Sequence, residues 1–147
     1  MMKSDDPWLP FSLGFAGLIP FWGLALAHGA GVPLGASTAA PLTALATYAA
    51  TVLSFLGGIR WGLAIRTDNQ SLAARDYAAS VIPQILGWAA LALADPWRLV
   101  TLAGLLVVLG LLDHDLVTRG MAPAWFGRLR FVLSVGAGAA LLLAASG

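Results

Sequence analysis

Residues 41–64 read PLTALATYAATVLSFLGGIRWGLA, an apolar run of membrane length broken by one permanent charge, Arg60. About 20 predominantly apolar residues cross a bilayer core as a helix. This run is long enough, and Pro41 opens it where a missing N–H costs nothing. Working outward, comparable runs occupy 9–28, 72–94, 96–118 and 123–145, with the central run reaching residue 66. The connections are short or rich in turn formers: 29–40 in Gly, Pro, Ser and Thr, and 67–71 in polar residues. The expected fold is therefore all-α, an integral membrane bundle of five transmembrane helices at 9–28, 41–66, 72–94, 96–118 and 123–145. Short loops make sequential helices antiparallel neighbours, and residues 1–147 form a single domain.

Composition leads to the same class. Hydrophobic residues make up 59% of the chain and charged ones only 10%, against about 25% charged in soluble domains. The chain has no cysteine, which excludes disulfides, thiolate metal sites and cysteine nucleophiles. The net charge of +1 says nothing about nucleic acid, and basic patches that would neutralise phosphates are absent, so no nucleic-acid partner is expected. The first run reads as a membrane helix rather than a cleaved signal. Asp5 and Asp6 spoil a positive leader, and Pro10 and Pro20 interrupt the segment, with Pro20 expected to kink it.

Basic residues set the orientation. Lys3, Arg66, Arg75, Arg119, Arg128 and Arg130 fall on one side of a five-span bundle, and only Arg98 on the other. Lys and Arg collect in cytoplasmic loops. The N-terminus is expected inside and the C-terminus outside, with Trp8, Trp61, Trp97 and Trp125 as interfacial anchors. Further boundary signals are Ser71 as the N-cap of the third helix, Asp95-Pro96 as the start of the fourth and Gly120 as its stop.

The central run carries two faces. Ala46, Ala50, Ser54, Gly58 and Gly62 recur every four residues as a small-residue stripe, with Ser54, Gly58 and Gly62 expected to pack against another helix of this chain or of a second subunit. At about 100° per residue, Arg60 lies about 200° from both Gly58 and Gly62. It precedes Arg66 by about 9 Å of helical rise, within snorkelling distance of the cytoplasmic surface. Such a charge is explained by snorkelling, by a salt bridge or by an anionic ligand.

A second charged group comprises Asp113, His114 and Asp115 at the end of the fourth helix and Arg128 and Arg130 at the start of the fifth. Each set sits where the helix dipole disfavours it, so a neutralising pair of Asp113 with Arg128 or Arg130 is expected across the hairpin. Arg60 and Arg66 emerge on the same side and extend the polar cluster. Three consecutive helical residues fan out and do not converge on one ion, so no metal is assigned, and no cofactor is implied. GxSxG, HExxH and P-loop motifs are absent.

The segments SFLGGIRWGLA (54–64), GLIPF (17–21), LLDHDL (111–116) and APAWFGRLR (122–130) resemble, in order and spacing, a family of small bacterial inner-membrane proteins. Eukaryotic relatives of that family include the mitochondrial transmembrane protein 69. The resemblance implies a multi-pass protein of the bacterial inner (plasma) membrane and no particular reaction. Position 60 is Arg where many members carry His, so a titrating role does not carry over. The leading functional expectation is binding or passing a lipid or a small anionic or amphipathic ligand. Arg60, Arg128 and Arg130 would contact it, beside Gly57 and Trp61. The alternative is an accessory or assembly subunit, in a homo-oligomer or a larger membrane complex, docking through the small-residue face. A membrane-embedded enzyme ranks third.

Overall fold

The computed structural model describes residues 7–35, Ser37 and residues 39–147. Lys3, Asp5 and Asp6 lie outside the described residues. The described chain forms α1 (Trp8–Ala16), α2 (Ile19–Gly29), α3 (Ala40–Ala64), α4 (Gln70–Ala90), α5 (Trp97–Leu112), α6 (His114–Thr118) and α7 (Ala124–Ser146). No β-strand occurs among the described residues. Four stretches are long and apolar enough to cross a membrane: Trp8–Gly29, Ala40–Ala64, Trp97–Thr118 and Ala124–Ser146. The expected count of five is thus not met on length and apolarity. The exception is α4, which contains Arg75 and Asp76 and is diluted further by Gln70, Ser71, Ser80 and Gln84. Large apolar side chains such as Leu26, Phe55, Ile85, Trp88 and Leu142 face outward, the arrangement of a membrane helical bundle.

Local chemistry explains the helix boundaries. The first span is broken rather than kinked. It stops at Ala16 and restarts at Ile19, with Pro20 inside the first turn of α2, where its missing N–H removes no bond. The Tyr48 hydroxyl donates to the Gly17 carbonyl at 3.0 Å across this break. Asn69, not Ser71, caps α4, its side chain accepting from the Ser71 and Leu72 amides at 3.1 and 3.3 Å. Asp95 is not the residue preceding α5 but is chelated by Arg98, with contacts of 2.9 and 2.6 Å. Gly120, at φ 72°, stops α6. The Met121 amide bonds the Leu116 carbonyl and the Gly120 amide bonds that of Val117, a Schellman closure that needs a left-handed residue.

α3 is the centre of the bundle, touching α2, α4, α5 and α7. It buries Leu45, Ala49, Leu53, Leu56, Arg60 and Ala64, spaced three or four apart along one face. Leu45, Ala49, Leu53 and Leu56 meet Leu99, Leu102 and Leu106 of α5, Leu141 of α7 and Phe21 of α2 in the apolar core. α4 runs antiparallel to α3 along most of its length. Gly57 faces the Ser80 carbonyl, and Gly87 lies against Leu53 and Ala50.

The small-residue stripe of α3 divides: Ala46 is buried and Ala50 lies against Gly87 of α4, while its other end turns away from the rest of the chain. Gly58 and Gly62 are exposed, and a methyl group at either would touch nothing within 4 Å. The half-turn carrying Arg60 points inward instead, and the close helix approach falls at Gly57.

Candidate functional site

The inward end of α3 meets α4, the α5–α6 junction and α7 in a network of charges. Arg60, only 6% exposed, donates through Nη1 to Asp76 Oδ1 at 3.3 Å and through Nη2 to Asp113 Oδ1 at 3.3 Å and the Leu112 carbonyl at 3.1 Å. Asp76 is fully buried. It receives a bidentate pair from Arg119, at 2.9 Å on Oδ2 and 3.0 Å on Oδ1. Arg130, also buried, donates through Nε to Asp113 Oδ2 at 2.8 Å. On the rim, Asp115 takes Arg75 at 2.9 Å, and its Oδ2 lies 2.9 Å from Arg119 Nε. The Arg119 N–H is not aligned on that oxygen, so this contact is an ion pair without a hydrogen bond. The hydrogen bonds that Arg119 donates to Asp76 raise its pKa further above the ordinary guanidinium value, against the lowering effect of burial. Its charge is therefore permanent.

The helix junction makes this convergence possible. Asp113 sits between α5 and α6 and points into the bundle, Asp115 reaches the rim, and His114, between them, turns outward. Gly110, one turn earlier, gives Ser134 its place, since a Cβ there would collide with the Ser134 hydroxyl. Gly57 does the same for α4, because a methyl group would run into the Ser80 backbone carbonyl.

The candidate residues named from the sequence divide into two sets. Arg60, Arg130, Asp113 and Asp115 come together. Trp61 does not join them; it lies outside against Tyr77, the ring centroids 4.8 Å apart. Arg128 is exposed and shares with His114 a separate groove between the α5–α6 segment and α7. Arg66 sits against the Gly120 turn. Asp76 and Arg119 were missed as members of the network. Asp76 had a legible signal: an ionisable residue inside a run of membrane length needs a partner.

Charge balance within the network is unequal. The side chains under 20% exposed are Arg60, Arg119 and Arg130 against Asp76 and Asp113, three cations to two anions. The rim pair of Arg75 and Asp115 cancels. Arg130 Nη2 is buried with no hydrogen-bond partner, and so is the hydroxyl of Ser134, one turn further along α7. Both residues line a cavity of about 170 Å³ whose other walls include Leu18, Phe21, Val52, Leu106 and Ala137. Buried polar atoms without partners are uncommon and point to an unseen water, ion or ligand.

Comparison with known proteins places the chain. It is 38% identical over 138 residues to transmembrane protein 69 of Xenopus tropicalis, covering 90% of this chain and 51% of that protein. It is 33% identical over 139 residues to transmembrane protein 69 of Mus musculus, covering 90% and 52%. The chain thus spans about half the length of the curated relatives it matches. No solved structure matches. With a family match across residues 7–146, the chain belongs to the family described as protein of unknown function, DUF3429.

Proposed function

We propose that this is a multi-pass protein of the bacterial inner membrane that binds a lipid or a small anionic or amphipathic molecule beside its polar cluster. Arg130 is the contact residue, and Arg60 is not. The supporting observation is the buried, unpartnered Nη2 of Arg130 in a set with one cation in excess. Arg60 is engaged by Asp76, Asp113 and the Leu112 carbonyl, so it positions the network rather than a ligand. In this reading α4 is a fifth crossing, with the N-terminus inside and the C-terminus outside. Support comes from its antiparallel course along α3 and from the gathering of Arg66, Arg75, Arg119 and Arg130 at one end while Arg98 lies at the start of α5.

The test is native mass spectrometry of the detergent-purified protein. Wild type is expected to retain a non-protein mass of one molecule per chain, and Arg130→Met to lose it while Arg128→Met keeps it. Wild type without any retained or re-addable amphiphile refutes the proposal. A second reading, docking as an assembly subunit, is favoured by one observation: Gly58 and Gly62 lie on the outer face of α3 with open space before them. Gly58→Leu would then abolish a complex seen by crosslinking in membranes while leaving the retained ligand unchanged.

A further inference from the structure

Resting on the amphiphile-binding reading, we infer that the ligand is a single-chain lipid with one carboxylate head, of the long-chain fatty-acid class. It would be held by Arg130 Nη2 and Ser134 Oγ with its chain in the adjoining cavity. The polar atoms of the site come from one face of α7, since residues four apart in a helix stack above one another. Both residues line the same cavity. Ser134 does not bond back to its own helix, the usual recourse of a buried serine. Arg130 is held in place by Asp113 through Nε, and its Nη2 is buried and unpartnered. The two unpartnered donors would supply the two oxygens of a carboxylate, one with a charge-assisted and one with a neutral hydrogen bond.

Charge and size narrow the class. One monoanion brings the three inner guanidiniums and two carboxylates to neutrality, whereas a neutral head such as an alcohol or a quinone leaves a buried cation uncompensated. The cavity of about 170 Å³ is close to the ~150 Å³ apolar cavity known to hold one benzene. It therefore takes a head and the first part of one unbranched chain, not the glycerol body of a two-chain phospholipid. Leu18, Phe21 and Leu106 supply the apolar wall such a chain needs.

Delipidated protein in dodecyl maltoside would be titrated with palmitate, hexadecanol, a decyl-quinone and a diacyl phosphatidylglycerol, with native mass spectrometry reading one-to-one complexes. Palmitate should bind at one per chain and hexadecanol at least about tenfold more weakly, the scale of one charged hydrogen bond. Arg130→Met should lower palmitate affinity about 10- to 100-fold. Because that variant also strips Asp113 of a partner, Ser134→Ala is the control for folding. It should weaken palmitate about 2- to 10-fold with no fall in the melting temperature of the ligand-free protein. Equal binding of hexadecanol overturns the carboxylate assignment while leaving amphiphile binding in place. So does Arg130-dependent binding of the quinone or the phospholipid in preference to palmitate. Palmitate binding that ignores both Arg130→Met and Ser134→Ala overturns the site. Failure of every probe, with no retained lipid in wild type, overturns the site and the amphiphile-binding reading together.

Discussion

Gly57 and Gly58 are neighbours in the sequence and should respond to the same substitution with opposite signs. Gly58 is exposed in the middle of α3, and a methyl group there meets nothing within 4 Å. Alanine is better than glycine in a helix interior by about 0.5–1 kcal/mol, so Gly58→Ala should stabilise by about that amount. At Gly57 the methyl group strikes the backbone carbonyl of Ser80, which has no rotamer to escape into. Forcing α3 and α4 apart costs about 1–3 kcal/mol as overpacking. The same separation strains the Arg60–Asp76 pair one turn away, at 3.3 Å in the native structure. Full loss of a buried pair costs about 3–5 kcal/mol, so even partial loss outweighs the gain in helix propensity. The net expectation for Gly57→Ala is a destabilisation of about 2–5 kcal/mol. At about 2–4 °C per kcal/mol for a chain of this size, the two variants should melt at least about 5 °C apart, on either side of wild type. Thermal unfolding in one detergent at one scan rate, followed by far-ultraviolet circular dichroism, gives the comparison. If both variants shift the same way, or Gly57→Ala melts no lower than Gly58→Ala, the assignment of faces on α3 is wrong.

Two further outcomes follow from the charge network and the path of α4. Asp76→Asn should lower stability by about 3–5 kcal/mol, because it leaves Arg119 and Arg60 short of their shared carboxylate. Arg60→Met should cost clearly less in the same melting assay, since Asp76 and Asp113 keep Arg119 and Arg130 and the inner set becomes balanced. The reverse order would refute the charge count. The chain has no cysteine, so single cysteines at Asp68 and Leu93 can be labelled in intact spheroplasts with a membrane-impermeant maleimide. A crossing α4 predicts labelling of Leu93→Cys and protection of Asp68→Cys, and equal labelling of both sites would remove the fifth span.

The parts of the structure legible in the sequence were those set by local or one-dimensional rules. Run length identified the spans at α1–α2, α3, α5–α6 and α7, and Gly120 announced its own stop. Charge bias gathered Arg66, Arg75, Arg119 and Arg130 at one end. What the helical wheel could not supply was the direction of each face. In water, polar residues mark the outside of a helix. In lipid the outside is as apolar as the core, so a stripe of glycines and a stripe of leucines are equally able to face either way. The angle between Gly58 and Arg60 was therefore readable, and which of them faced the bundle was not. Asp76 escaped notice for a related reason. Beside Arg75, it reads as half of a surface pair, whereas the fold turns Asp76 inward to Arg119 and leaves Arg75 on the rim.

The arrangement of the charges also separates two roles that a buried arginine can play. An arginine whose two terminal nitrogens both end on protein acceptors is a cross-link. Arg60 is of this kind, tying α3 to α4 through Asp76 and to the α5–α6 junction through Asp113 and the Leu112 carbonyl. Removing such a residue acts on folding first and on ligand affinity only as a consequence. An arginine anchored through one nitrogen with another left buried and unpartnered is in a different position. Arg130, which lines the cavity, is held by Asp113 through Nε and carries a buried, unpartnered Nη2. The anchor orients the guanidinium in advance, which lowers the entropy lost when a ligand arrives. Under the proposed ligand binding, the free nitrogen would make the occupied state better satisfied than the empty one. Ligand dependence of stability should therefore track Arg130 and not Arg60, although Arg60 is the charge that stands out in the sequence.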